Sequence, residues 1–301
     1  MGWRRRSSMK ISGFTFVRNA VMYDYPVVES IRSLLPLVDE LVVAVGDSTD
    51  GTRELIDGID DPKIRVIETV WDETLRQGGR ILAQQTDVAL AHCSGDWCIY
   101  LQADEVLHEG DHDAIAAAIR NADADQRVEA LLLPWKHFYA TYDWLGVGRQ
   151  WYRREVRIIR NTGTFFSFGD AQGFRIREGE RVRKPRARQI DATVYHYGWV
   201  KPPDAQQRKQ QNFNRYWHDD AWIKEHVADG DVFDYTSCYA VEPFTGTHPV
   251  VMHKRIAEAA AWTAFFDPTR LPGRPPKVAI LDAIERWTGL RIGEFRNYEV
   301  L

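Results

Sequence analysis

The 301-residue sequence predicts an α/β protein: a mixed, mostly parallel sheet flanked by helices, with a helical extension at the C-terminal end. Three observations carry this. From Lys10 to Leu101, short apolar runs alternate with helix-length segments whose apolar residues recur at helical spacing. Beyond Asp123 the chain changes to aromatic, strand-like stretches, and from Pro202 it turns helical.

Residues 10–17, KISGFTFV, read as the first strand, ending at Arg18-Asn19. Residues 25–38, YPVVESIRSLLPLV, carry Val27, Val28, Ile31, Leu34 and Leu35 at helical spacing, with Pro26 near the first turn where its missing N–H costs nothing. DELVVAVG is a continuous apolar strand, and DSTDGT after it supplies N-cap residue types for the helix RELIDGI. KIRVIETV is a third strand. ILAQQTDVALAHC is a helix with Leu82, Ala89 and Cys93 on its apolar face, ended by Ser94-Gly95-Asp96. WCIYL is the fourth strand. Strand-like stretches follow in EALLLPWKHFYATYDW, WYRREVRIIRN, FSFGDAQGFRI and ATVYHYGWV. DAQQRKQQNFNRYW and HKRIAEAAAWTAFF are helical, and DPTRLPGRPP links them to a last amphipathic helix.

Composition narrows the function. With 39 basic and 43 acidic residues the formal charge is −4, which gives no electrostatic case for a nucleic-acid partner. The 11 Trp, 12 Tyr and 13 Phe point instead to a cleft for a ring-bearing ligand. Cys93, Cys98 and Cys238 cannot all pair with one another and match no zinc or redox spacing, so they are expected reduced, in a cytoplasmic protein. No run reaches the ~18 apolar residues of a membrane span. The first nine residues, basic but without an apolar segment, read as a disordered tail.

The chemistry concentrates at YLQADEVLHE, residues 100–109, where Asp104, Glu105 and Glu109 follow a buried strand. Ligands of open α/β sheets bind at strand C-terminal ends. A hard divalent cation takes one or two protein carboxylates there and fills its remaining positions with phosphate and water. An isolated acidic pair also reads as surface charge.

In order along the chain stand FTFVRN, VDELVVAVGDSTDGT, a helix with Asp87 and Ala89, GDWCIYLQADE and a later HYGWV. This series resembles the family 2 glycosyltransferases, which have a GT-A fold, over about residues 10–200. The resemblance implies a nucleotide-sugar donor whose diphosphate is bridged to the protein by Mn²⁺ or Mg²⁺ at a DxD turn. It divides the chain into a nucleotide-sugar-binding half (10–130), an acceptor-side half (131–200) and a helical extension (201–301). Asp104 matches the metal-binding Asp of the turn, Gln102-Ala103 precede it, and Gln102 stands where the family has its first Asp. Gln102 can bond a ribose hydroxyl but brings no charge. His196 matches the late His that completes the metal site, and a nitrogen ligand favours Mn²⁺; between two tyrosines it also reads as a core histidine.

Val45 occupies the position of the family's base-reading Asp, and Asp47 is its nearest substitute. Asp50 reads equally as helix cap and ligand contact. Phe16, Val17, Arg18 and Asn19 match the nucleotide cradle, with Arg18 suited either to phosphate or to a helix carboxylate. Arg80 follows a Gly-Gly pair, and Asp87 takes the family's Asn position before the metal turn.

For the acceptor the resemblance implies a carboxylate base in single-displacement, inverting transfer to a hydroxyl group. Asp170 in FSFGDAQGF fits, or is a turn residue after Gly169. Trp135, His137, Tyr139 and Trp144 are candidates for the sugar and acceptor platform, most aromatics of this run being core. In the last helix Val278, Leu281, Ile284 and Trp287 recur beside Arg286 and Arg291, a packing or dimer helix or one lying on the inner membrane face. A sugar-phosphate nucleotidyltransferase would need a Gly-rich, Arg-containing loop after the first strand, which FVRN lacks. A non-catalytic nucleotide- or carbohydrate-binding module is the reading suggested by Val45 and Gln102.

Overall fold

The computed structural model describes residues 9–75, 77–227, 230 and 232–301. Of the expected N-terminal tail, residues 1–8 lie outside the described residues, whereas Met9 packs against the core.

Strands β1 (Ile11–Val17), β2 (Glu40–Val45), β3 (Ile64–Glu68) and β4 (Trp97–Tyr100) run parallel in the spatial order β3-β2-β1-β4. Between them lie α1 (Val27–Leu34), α2 (Thr52–Asp57) and α3 (Arg80–Ala91). β4 is buried along its whole length and β2 from its second residue onward, as a parallel strand covered on both faces requires. One core layer, including Ile31, Leu34, Leu41 and Ile119, lies on the α1 side of the sheet; the other, including Phe14, Leu82, Tyr100 and Phe174, lies on the α3 side. At Gly13 a Cβ would come within 2.6 Å of Leu41 Cδ1 and 2.9 Å of Leu34 Cδ2, so the approach of α1 to the sheet depends on a residue without a side chain. The helix expected to reach Val38 stops at Leu34, and Leu35–Leu37 form a single 3₁₀ turn around Pro36, whose ring cannot continue the α-helical bonding.

After β4 come β5 (Glu105–Leu107) and α4 (His112–Ala124), a helix not among the sequence expectations although Ile115, Ile119 and Ala122 line its buried face. Then follow β6 (Ala130–Tyr139), β7 (Trp144–Gly146) and β8 (Arg154–Arg160). β8 is antiparallel to both β4 and β6 and joins the first four strands to the aromatic half. β9 (Phe165–Phe168), β10 (Gly173–Glu178) and β11 (Arg181–Arg183) form a separate antiparallel sheet whose first turn carries Asp170.

β6 has two parallel partners in succession. Its first residues pair with β12 (Arg186–Gln189), and from Trp135 onward it pairs with β13 (Val194–Trp199), which sets His137 opposite His196. β5 lies antiparallel on the other edge of β13 and sets Glu105 opposite His196. His196 is thus delivered beside the acidic turn by strand register.

The region after Pro202 contains α5 (Pro203–Phe213), α6 (Asp220–His226), α7 (His253–Ala259) and α8 (Pro276–Thr288). It also returns two short strands, β14 (Val241–Pro243) against β7 and β15 (Glu299–Val300) against β12. The helix expected over 253–266 ends at Ala259, and Phe265 and Phe266 turn to pack on Tyr235 and Tyr139. Among the described residues, no helix is long and apolar enough to cross a membrane, and the three cysteines are unpaired.

Candidate active site

The acidic turn is held from below. Glu105 is fully buried and receives two parallel bonds from the equally buried Arg157, Nε to Oε2 and Nη2 to Oε1, both 2.7 Å. The same carboxylate accepts from Gln102 N–H at 3.1 Å, while Ser30 Oγ donates to the Gln102 carbonyl. Glu105 therefore shapes the turn and faces no ligand. Glu109 accepts from Val250 N–H at 3.1 Å and anchors the C-terminal region. Of the three carboxylates, only Asp104 lines the cavity.

Beside Asp104 the hydrogen-bond pattern fixes a histidine tautomer. His137 Nε2 lies 2.8 Å from the Tyr152 carbonyl, which can only accept, so this nitrogen carries the proton. Burial, followed by the neighbouring His196, holds the His137 pKa well below the usual histidine value; its Nδ1 is therefore an acceptor. His196 Nδ1 stands 3.1 Å from it and donates. Burial lowers the His196 pKa as well, against the pull of Asp104, so its Nε2 presents a lone pair. That lone pair lies 3.8 Å from Asp104 Oδ2. Two acceptors facing each other at this separation suit a shared cation.

The wedge between them is open because residue 198 is glycine. A Cβ there would sit 2.5 Å from Asp104 Oδ2 and 2.6 Å from His196 Nε2. One carboxylate oxygen, one neutral imidazole nitrogen and this opening fit a divalent cation that takes its other ligands from phosphate and water. Among the described residues no cluster of three His, Cys, Asp or Glu groups could hold a metal ion.

Lys209 on α5 enters the same space. Its Nζ donates to the Gly198 carbonyl at 2.9 Å and stands 3.4 Å from Asp104 Oδ2. Burial pushes the Asp104 carboxyl up, but Lys209 first, then His196 and Lys201, outweigh this and hold its pKa down at about 2. With His196 neutral at pH 7, Lys209 leads the groups that keep the carboxyl ionised. Burial in turn lowers the Lys209 pKa, against the pull of Asp104.

These groups line a cavity of about 440 Å³. Phe16, Val17 and Arg18 come from the end of β1, Gln102, Ala103 and Asp104 from the acidic turn, and Trp135, His137 and Tyr139 from β6. Asp170 contributes from the β9–β10 turn, where burial raises its pKa against the backbone N–H groups that bond it. Sequence reasoning did not pick out Tyr25, Trp71, Tyr216 or Lys209, all of which line the cavity. For Trp71 an aromatic residue just past the end of β3 was the available signal; Tyr216 ends the turn after α5.

Other candidates stand elsewhere. Arg18 pairs with Asp47, Nε to Oδ1 at 3.1 Å, and with Glu73; of the three only Arg18 lines the cavity. Asp50, one residue before the N-cap Gly51 of α2, accepts from Thr52 N–H and from Met22 N–H, while Asn19 accepts from Thr49 N–H. Asp87 accepts from Ser167 N–H at 2.6 Å and joins α3 to β9; burial raises its pKa to about 6. Arg80 lines a separate hollow with Trp217 and Trp222. Trp144 lies outside the cavity against Phe266, and His137 and Trp135 are supports: Trp135 stacks on His196 at 5.3 Å between ring centres.

A parallel sheet of order β3-β2-β1-β4, continued by antiparallel β8 and β6, with an acidic turn after β4 and a histidine returned to it by β13, defines a GT-A fold. The family model described as glycosyl transferase family 2 matches residues 25–177, and the chain belongs to that family. Among solved structures, the chain is similar to S. aureus TarS at 15% identity, covering 68% of this chain and 39% of that one with a TM-score of 0.39. It is also similar to glucosyl-3-phosphoglycerate synthase from Mycobacterium tuberculosis, solved with Mn²⁺, uridine diphosphate and phosphoglyceric acid, at 22% identity over 44% of each chain with a TM-score of 0.30. The chain thus spans about two fifths of the TarS chain. No curated protein sequence matches it.

Proposed function

We propose that the protein transfers a sugar from a nucleotide-sugar donor to a hydroxyl acceptor with inversion, using a divalent cation held by Asp104 and His196, Mn²⁺ in preference to Mg²⁺. The observation that carries this is the Tyr152–His137–His196 relay, which turns a bare imidazole lone pair onto a buried carboxylate at the C-terminal end of β4. Three tryptophans of the cavity wall, Trp71, Trp135 and Trp151, hold buried indole N–H groups without acceptors, polar groups that an oxygen-rich ligand suits.

When bound, the cation supplies positive charge that stabilises the departing nucleoside diphosphate. Asp104 binds it as carboxylate, ionised at pH 7 because of Lys209. His137 keeps His196 in the ligating tautomer. Asp170 takes the acceptor hydroxyl's proton while that oxygen bonds to the anomeric carbon and the carbon–phosphate oxygen bond breaks, the bonding pair leaving with the diphosphate. Burial of Asp170 raises its basicity for this role. Arg18, Gln102 and the aromatic wall are the donor-side contacts, and Trp151, Tyr152 and Tyr139 the acceptor-side surface.

Lys209 favours a second reading: an ammonium already 3.4 Å from Asp104 can neutralise a diphosphate without a metal. Calorimetric titration of five nucleoside diphosphates, with Mn²⁺ and with a chelator, separates the two. Binding of one nucleotide that requires Mn²⁺ and is lost in Asp104→Ala is expected; binding indifferent to the chelator would favour the lysine. Product formation lost in Asp170→Asn with donor affinity retained is the expected signature of the base.

A further inference from the structure

Helix α8 is mounted with its charged side inward. Asp282 is its one buried residue, and Asp282 and Glu285 receive Arg149 at 3.3 and 3.1 Å, while Arg153 reaches Glu285 at 3.4 Å. Arg149 also donates to the carbonyls of Leu281 and Ile292. The opposite side, Ile280, Ala283 and Trp287 at three- and four-residue spacing, faces outward. Ile280 is 63% and Trp287 90% exposed, and Leu290, Ile292 and Phe295 continue the patch at 66%, 55% and 61%. A helix facing only water would show the reverse arrangement.

The charges around this patch decide what covers it. Between residues 268 and 296 the chain carries Arg270, Arg274, Lys277, Arg286, Arg291 and Arg296 against Asp282, Glu285 and Glu294. All three acids are engaged by arginines, Glu294 by Arg153 at 2.7 Å. Lys277 and Arg286, both exposed, flank the apolar stripe on its two sides. A second copy laid against this face would set lysine and arginine against arginine and lysine, with no free acid to meet them. An anionic bilayer meets both features: its headgroups take the basic flanks and its acyl boundary takes the indole and aliphatic side chains.

We infer that α8 and the segment to Phe295 are a docking surface for an anionic lipid membrane. The surface is tied to the cavity, because Arg149 and Arg153, which clamp α8, bracket Gln150, Trp151 and Tyr152 of its wall. Docking would therefore bring the acceptor side of the cleft to the lipid, which suits a lipid-linked hydroxyl acceptor. That consequence rests on the glycosyltransferase reading. The docking does not, and its test reads no activity.

The test is flotation of the full chain with vesicles of phosphatidylcholine alone or mixed with phosphatidylglycerol. Flotation with the mixed vesicles, reduced by high salt, is expected. Ile280→Asp with Trp287→Asp should lower the partition at least about tenfold, and Lys277→Glu with Arg286→Glu about tenfold, with unchanged thermal unfolding because these side chains are exposed. Wild-type protein that fails to float, or floats equally well in both variants, overturns the proposal. So does a concentration-dependent dimer in sedimentation velocity that Trp287→Asp dissolves, since the patch would then belong to a second copy.

Discussion

Replacing His137 by Leu tests the relay at its middle. The substitution removes the acceptor of His196 Nδ1–H, 3.1 Å away, and the donor to the Tyr152 carbonyl, 2.8 Å away. His196 then lowers its energy by moving its proton to Nε2, toward the Asp104 carboxylate 3.8 Å away, and the lone pair offered to a cation is lost. Outer-shell partners of ligating histidines are worth about 10–100-fold in metal affinity, or about 1.4–2.7 kcal/mol. The unpaired buried groups cost a further ~1–3 kcal/mol of folding stability. Titration of Mn²⁺ by electron paramagnetic resonance with saturating nucleoside diphosphate reads the first quantity, and urea unfolding the second. His137→Gln, whose amide can accept from His196 and donate to Tyr152, should recover most of the affinity. If His137→Leu binds Mn²⁺ as tightly as the wild type while remaining folded, His137 does not set the His196 tautomer.

Gly198→Ala should abolish Mn²⁺-dependent nucleotide binding by filling the wedge between Asp104 and His196, a loss that calorimetry detects in protein whose circular dichroism is unchanged. Arg157→Leu strands Glu105 as a buried, unpaired charge and should cost about 3–5 kcal/mol in urea unfolding. Glu155 predicts a pH dependence: burial first, only partly offset by Arg157, raises its pKa to about 7 from 4.5. The unfolded chain therefore releases this proton first, and stability falls as pH rises from 4.5 to 7. Glu155→Gln should remove that slope, worth up to about 3 kcal/mol, in unfolding curves across pH 4–8.

What was legible in the sequence was mostly local. β1, β2 and β4 show as apolar runs, the turn after β4 as a break into carboxylates, and Asp104 and His196 as the ends of an ordered series of motifs. What depended on distant partners was not. Glu105 resembles Asp104 in sequence, and only Arg157, 52 residues away, makes it a strut. Lys209 lies in a helix of mostly polar residues, and nothing near it announces that its ammonium reaches Asp104, 105 positions earlier. His137 reads as one of several rings available to a sugar, but parallel pairing with β13 turns it toward His196. Asp50, legible both ways, bonds the backbone at the start of α2 and lies outside the cavity. α4 carried a readable pattern at Ile115, Ile119 and Ala122, masked by the acidic residues around it.

The pairing of β8 with β4 and of β13 with β5 bears on how the enzyme can be taken apart. Residues 10–130 supply β4 and β5, and residues 131–200 supply the β8 and β13 with which these pair. A cut at residue 130 would fall at the first residue of β6, part β4 from β8 and β5 from β13, and leave raw sheet edges on both pieces. Residues 10–130 and 131–200 therefore cannot be exchanged with those of a relative as cassettes. Grafts that respect the ladder, confined to the 148–153 loop or the β9–β10 turn, are the ones that can retarget specificity and leave the fold intact.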